Sequence, residues 1–376
     1  MKIVLPYYQF KIDDTIVVGG RENFIQKIHQ EYDNIILVDL NPTILKNKSN
    51  SNREIIKQCN QTIKRIALDN EADIIISNWQ SAVISGAGMV DSPIPILHID
   101  HTVSRMLSCI PSFLRLKKYN HSVFLVNPYQ TNYYDSYSKR INLPKVNFDG
   151  YVEPAFLDGV KPKLFDEPEF DCVTIGRCSP SDKMPFKLKI MLKDTNFKTL
   201  LMTNIPTDAH KKLWGDDKFF KRCHNYYQKN KHWEDCLYDL PHNEVMKNLC
   251  RAKTFFMTWE DECFPIVGLE ALSCGIPLIL NSRMTEERDP VKKQNFKYPL
   301  HGGEKWAVKE THYINIKLNS NEELISAINK LKNIDRQEVQ DMTWEKYTKK
   351  RWKSLLDNAI DKTIENFNQG RKKLLI

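Results

Sequence analysis

Short apolar runs rich in β-branched residues recur at Lys2 to Leu5, Asn34 to Val38, Asp73 to Ser77, Ile94 to Ile99 and Ser122 to Val126. Polar stretches with helical spacing, such as Glu22 to Gln30 and Arg53 to Leu68, lie between most of them. Strands alternating with helices predict a parallel sheet covered on both faces. The series restarts at Asp171 to Ile175, Lys198 to Met202, Lys253 to Met257 and Pro277 to Leu280. Glu153-Pro154, Lys161-Pro162 and Glu167-Pro168 interrupt regular structure between the two series, because the residue before a proline avoids the helical region. The chain is thus expected to hold two α/β domains, 1–155 and 156–340, followed by a C-terminal helical segment, 341–376. In that segment Thr343-Trp344-Glu345-Lys346-Tyr347 is expected to open a long basic amphipathic helix reaching about Phe367.

A length of 376 residues suits two such domains, each able to bury a core. No apolar run approaches the length that spans a bilayer, and Met1 to Pro6 is shorter than a secretory signal, so a cytoplasmic protein is expected. The nine cysteines are scattered and form no Cys-x-x-Cys pair, which points to reduced, mostly buried thiols rather than a disulfide framework or zinc cluster. A formal charge of +8 favours an acidic partner without naming one.

Chemistry concentrates in Glu262-Cys263-Phe264-Pro265-Ile266-Val267-Gly268-Leu269-Glu270 and the following Ala271 to Ile279. Pro265 suits a first helical position, Gly275 suits the residue past a helix end, and Pro277 to Leu280 restarts as a strand. A helix beginning at Pro265 aims free amides and partial positive charge at whatever precedes it, which suits a phosphate. Carboxylates at its mouth and one turn inside would repel phosphate unless they held hydroxyls, so the segment reads as a nucleotide-sugar site. Upstream, Gly19 and Gly20 precede the helix at Phe24 to Gln30, where a backbone without side chains admits close approach of a ligand. The chain lacks Gly-x-Gly-x-x-Gly, which disfavours a nicotinamide or flavin enzyme. Ser77-Asn78 and His98-Ile99-Asp100-His101-Thr102-Val103 place polar groups beyond the carboxyl ends of strands, where α/β proteins bind ligands. Each motif also has a plain structural reading: an amphipathic helix with two surface acids, a bare glycine turn, and loop-fixing polar residues.

The paired glutamates resemble those of retaining glycosyltransferases of the GT-B fold, which has two facing Rossmann-like domains and a C-terminal helix crossing back to the first. The resemblance implies that Glu262 lies beside the donor sugar, that the backbone at Phe264, Pro265, Ile266 and Val267 meets the diphosphate, and that Glu270 holds the ribose. Gly176-Arg177 with Lys183 is similar to the pair that holds the donor diphosphate in those families, one residue more widely spaced than in the nearest phage relatives. Two such cations would replace a divalent metal, and no Asp-x-Asp stands at a strand end. The turn at Leu240-Pro241, before a helix expected to end near Ala252, corresponds to the nucleobase turn, and Gly19-Gly20 to a loop near diphosphate and acceptor. Asp100-His101-Thr102-Val103 resembles the phage DNA α-glucosyltransferases that modify 5-hydroxymethylcytosine, with Asp100 in the place of the acceptor-side acid and His101 beside it. The implied donor is UDP-glucose or a pentose equivalent such as UDP-arabinose. The implied acceptor is double-stranded DNA containing 5-hydroxymethylcytosine, in a host cytoplasm if the chain is phage-encoded, with no stable membrane association.

Lys46 to Arg65 holds six basic residues and one acid, and His210 to Trp233 interleaves seven lysines and arginines with Trp214, Phe219, Phe220, Tyr226 and Tyr227. Basic side chains can position phosphates while aromatic rings stack on unpaired bases. A solvated helix face explains either segment equally well. Two other functions remain open: a polysaccharide or lipid glycosyltransferase at a membrane surface, and a non-catalytic DNA-binding protein that has kept the fold.

Overall fold

A computed structural model describes the backbone of residues 1–376 except 8–9, 13–14, 18–19, 41–42, 44–51, 79–88, 102–108, 181–182, 209–210, 212–216, 260–265, 283–286, 289–294, 297–306, 318 and 375–376. The chain divides into two compact units, Met1–Phe156 with Lys349–Ile376, and Leu157–Thr348.

The first unit is built on six strands, β1 (Ile3–Tyr7), β2 (Ile35–Asp39), β3 (Ile74–Ser77), β4 (Ile96–Asp100), β5 (Ser122–Leu125) and β6 (Gly150–Tyr151). They are parallel and ordered β2-β1-β3-β4-β5-β6. Helices α1 (Gly20–Glu31), α2 (Asn52–Asp69), α3 (Cys109–Lys118) and α4 (Tyr129–Arg140) connect them. Every residue of β3, β4 and β5 is buried, as a sheet covered on both faces requires.

The second unit repeats the plan with β7 (Cys172–Ile175), β8 (Thr199–Thr203), β9 (Cys236–Tyr238), β10 (Phe255–Met257), β11 (Leu278–Ser282) and β12 (Tyr313–Lys317). Their order, β9-β8-β7-β10-β11-β12, all parallel, is the doubly wound order with its reversal between β7 and β10. Helices α5 (Lys187–Leu192), α6 (Asp217–Asn230), α7 (His242–Cys250), α8 (Ile266–Ser273), α9 (Asn321–Leu331) and α10 (Arg336–Lys346) belong to this unit. Local chemistry fixes several ends. The Ser320 hydroxyl accepts from the Glu323 amide at 3.3 Å to start α9, and the Asp335 carboxylate accepts from the Gln337 and Glu338 amides to start α10. Helix α8 closes with Ile276 N–H donating to the Ala271 carbonyl and Gly275 N–H to that of Leu272, both at 3.0 Å. That closure holds Gly275 at φ +71°, and a Cβ there would sit 2.5 Å from the Arg336 carbonyl oxygen. Gly275→Ala is expected to cost about 2 kcal/mol and lower the melting temperature by roughly 5 °C in calorimetry; an unchanged transition would count against this packing.

The terminal helix differs from the sequence expectation. Thr343 and Trp344 lie in the last turns of α10, Tyr347 leaves the helical region at φ −96°, ψ 55°, and a separate helix, α11 (Lys349–Leu374), follows. The break is made by packing: Tyr347 is buried, and its carbonyl accepts from the Leu157 amide at 2.9 Å. Helix α11 belongs to the first unit. Trp352 lies fully buried against Phe24 and Phe156, and the Tyr32 hydroxyl donates to Asp357 at 2.6 Å.

His121 is also covered by α11, its ring stacked on Phe367 with centroids 5.3 Å apart. Nδ1 accepts from the Ile96 amide and Nε2–H donates to the Val90 carbonyl, an arrangement that fits only neutral imidazole. Burial pushes its pKa down to about 4 from an ordinary 6.5. The unfolded chain therefore takes up a proton below about 6.5 that the native state refuses until about 4, so native stability falls as pH falls through that window. The loss is expected to reach about 3 kcal/mol near pH 4. Urea unfolding at pH 7 and pH 4 measures it, and in His121→Gln this component should vanish.

The seven described cysteines are all free thiols and six are buried. No described helix is long and apolar enough to cross a membrane.

Candidate functional site

The loops after β7 and β10 leave the second sheet on either side of its reversal point, where doubly wound sheets open a crevice. Gly176-Arg177 follows β7 directly. A Cβ on Gly176 would stand 3.0 Å from the Lys183 Cβ, so glycine lets the loop double back and bring Lys183 beside the strand end. The Thr203 hydroxyl donates to the Gly176 carbonyl at 2.7 Å, and Asn204 Oδ1 accepts from the Cys178 amide at 2.9 Å. Thr258 at the end of β10 donates its hydroxyl to the Lys183 carbonyl, while Asn281 Nδ2 on β11 donates to the Thr258 carbonyl at 2.9 Å. Both cations lie over aromatic faces: Lys183 Nζ is 4.5 Å from the Trp259 ring centre and the Arg177 guanidinium 5.5 Å from that of Phe219. Such faces attract a cation through the ring quadrupole.

Helix α8 begins at Ile266 and Val267, whose amides have no partner within the helix. Glu270 lies just over one turn inside. Its carboxylate accepts from His242 Nε2 at 2.9 Å, and that hydrogen bond and charge raise the His242 pKa. His242 is the first residue of α7, which Pro241 precedes in an extended conformation at φ −64°, ψ 152°. Leu240 is half-buried beside it. The turn is shaped by Asp239 at φ 51°, whose carboxylate accepts from the Ile205 amide. Arg177, Lys183, Glu270, Leu240 and Pro241 thus all lie at the carboxyl edge of one sheet. Helix α7 ends at Cys250, two residues before Ala252. Glu262, Phe264 and Pro265 lie outside the described residues.

In the first unit Asp100 ends β4 and is buried. Its Oδ2 accepts from the Tyr134 hydroxyl at 2.6 Å and from Gln130 Nε2 at 3.1 Å. Gln130 Oε1 in turn accepts from the Val126 and Asn127 amides, both at 2.9 Å, which locks that clamp to the end of β5. His101 packs edge-on against Phe24 of α1, with centroids 5.0 Å apart. His98 is fully buried against Phe113, so it is a core residue. Gly20 opens α1, and Gly19 lies outside the described residues.

Sequence reading missed Trp259, Thr258, His242, Gln130 and Tyr134. Gln130 and Tyr134 carried a signal, since an i, i+4 pair shares one helix face. Among the described residues no group of three His, Cys, Asp or Glu side chains is placed to hold a metal ion.

No protein-family model matches the chain, and no curated protein matches it in sequence. Solved structures do match it along its length. A glycosyltransferase from Rickettsia africae ESF-5 superposes with TM-score 0.62 at 12% identity, covering 99% of this chain and 98% of that one. The lipopolysaccharide outer core galactosyltransferase WaaB, in its apo form, gives TM-score 0.59 at 13% identity, covering 96% and 99%. Anabaena Alr3699/HepE in complex with UDP-glucose gives 0.59 at 15%, covering 100% and 99%. These likenesses establish the fold as GT-B, with two Rossmann-like domains.

Proposed function

We propose that this chain is a retaining glycosyltransferase that moves a sugar from a UDP-sugar to the hydroxymethyl group of 5-hydroxymethylcytosine in double-stranded DNA. One observation supports the donor half: Arg177 and Lys183 stand in the loop after β7, and α8 with Glu270 follows β10, the two strands that flank the reversal of the second sheet, in a fold shared end to end with a protein crystallised with UDP-glucose. Breaking the bond from anomeric carbon to phosphate builds negative charge on the departing diphosphate. Arg177, Lys183 and the backbone from Phe264 to Gly268, through the N–H groups of its non-proline residues, stabilise that charge without a metal. Glu270 takes the ribose hydroxyls, Glu262 the sugar, and Leu240-Pro241 the uracil. The acceptor hydroxyl attacks the face the diphosphate leaves. The hydroxyl proton passes to a leaving phosphate oxygen as the new carbon–oxygen bond forms.

The acceptor half rests on the Asp100-His101-Thr102-Val103 resemblance and on the Tyr134–Gln130 clamp, which fixes the Asp100 carboxylate in one orientation. The resemblance assigns Gly19-Gly20 to the diphosphate and acceptor side. Glucose and arabinose are both admissible donor sugars. The test incubates the protein with hydroxymethylated and plain DNA and each UDP-sugar, then weighs the nucleosides. A hexosyl or pentosyl gain on the hydroxymethylated base alone supports the proposal, and an unchanged base with every donor refutes it.

The His242–Glu270 pair makes a further prediction. Protonated His242 competes with ribose for the carboxylate and holds it most firmly below the raised pKa. UDP affinity should therefore rise about two- to threefold as pH increases through the His242 titration, the modest size reflecting an exposed pair. In His242→Ala, calorimetric titration should show a flat profile.

The likeness to WaaB, a lipopolysaccharide outer core galactosyltransferase, favours a second reading with a polysaccharide or lipid acceptor. Transfer to a lipid-linked saccharide with hydroxymethylated DNA left untouched would establish it.

A further inference from the structure

Helix α6 carries Lys218, Lys221, Arg222 and Lys229, all exposed. At 3.6 residues per turn these four fall within an arc of about 100°, with exposed Asn225 in its middle. The only acid on the helix, Asp217, lies 3.6 Å from Lys211. The aromatic residues of the same helix turn the other way. Tyr226 packs edge-on against Phe186 and Tyr227 against Tyr238, in a cluster with buried Cys178 and Leu201. Phe219 has a guanidinium on its ring from Arg177 at 5.5 Å and another from Arg222 at 5.7 Å. Phe220 stacks on His224 with centroids 5.9 Å apart. Tyr226 and Tyr227 thus hold the helix to its unit and Phe219 lies beside two guanidinium groups, Trp214 lies outside the described residues, and the face left to solvent is basic.

We infer that this face of α6 is a docking surface for the phosphate backbone of duplex DNA, read without regard to sequence. The inference rests on the proposed DNA acceptor and locates where that acceptor is held. Lys218 and Lys229 are separated by roughly 16 Å along the helix axis. That distance matches about five phosphates of one strand at ~3.4 Å each. Charge complementarity alone would also suit an anionic lipid surface. An interfacial helix, however, needs an apolar face to sink below the headgroups, and no exposed large hydrophobic residue lies on α6. Phosphate contacts of this kind would supply binding free energy for extruding the target nucleotide, which costs a few kcal/mol.

The experiment uses the full chain and the variant K218Q/K221Q/R222Q/K229Q, titrated with fluorescein-labelled hydroxymethylated duplex DNA from 50 to 200 mM salt. Neutralising four phosphate contacts should flatten the slope of log affinity against log salt by about 3 to 4, and weaken binding at 50 mM by at least tenfold. UDP affinity, measured on the same preparations, should stay within twofold, which shows that the variant is folded and its donor site intact. A slope unchanged by the substitutions overturns the inference and leaves the proposed transfer standing. Stripe-dependent DNA binding without any sugar transfer upholds the inference and overturns the acceptor proposal. Loss of binding to phosphatidylserine vesicles in the variant, with wild-type protein indifferent to DNA, overturns the inference in favour of a membrane.

Discussion

Arg177→Ala is expected to lower kcat/KM for sugar transfer by about 10²- to 10³-fold, equivalent to ~3–4 kcal/mol of transition-state stabilisation. Lys183→Ala should do the same, and the double variant should fall short of the product because both cations meet one leaving group. Charge on the diphosphate is greatest as the glycosidic bond breaks, so most of the loss should appear in kcat, with UDP affinity falling less. Steady-state kinetics with calorimetric UDP titration separates the two. A loss confined to KM would mean that the cations only bind the donor. The geometry gives Lys183 a further dependence. Its carbonyl is held by Thr258 and its ammonium lies over Trp259, so Trp259→Leu should reproduce part of the Lys183→Ala defect without touching charge.

Trp352→Ala is expected to destabilise the first unit by about 3–5 kcal/mol, the range for emptying a buried large aromatic site. The indole is fully buried, 5.0 Å from the Phe156 ring and 6.2 Å from that of Phe24, so nothing nearby can refill the space without backbone movement. Because Trp352 sits in the first turn of α11, the same variant should expose that helix to proteolysis while UDP binding persists. Urea unfolding with limited proteolysis checks both. A variant as stable as wild type would show that α11 contributes little to the unit it packs on.

Much of the fold was legible because parallel sheets bury both faces, and such strands announce themselves as β-branched runs. Nine strands expected from those runs are present, each within two residues of the expected ends at most. Three strands of the two six-stranded sheets carried no such run: Gly150–Tyr151 has two residues, β9 has three, and β12 is an edge strand in which Asn315 and Lys317 interrupt the apolar residues. The helix break at Tyr347 left no proline or glycine in the sequence, since long-range packing of a buried tyrosine enforces it. At the site, residues that shape backbone were readable: Gly275 caps α8, and Gly176 admits Lys183. Side chains that orient the charged groups were not. Trp259 meets Lys183 and Gln130 meets Asp100 across 76 and 30 positions of chain, and only the folded sheets bring them together.

Crystallising the protein with UDP and locating the nucleotide addresses the donor site directly. The proposal requires the pyrophosphate between Arg177, Lys183 and the first amides of α8, with the ribose hydroxyls on Glu270 in place of His242. A nucleotide bound elsewhere, with Arg177 and Lys183 empty and the His242–Glu270 hydrogen bond intact, would remove the basis for reading the chain as a UDP-sugar transferase.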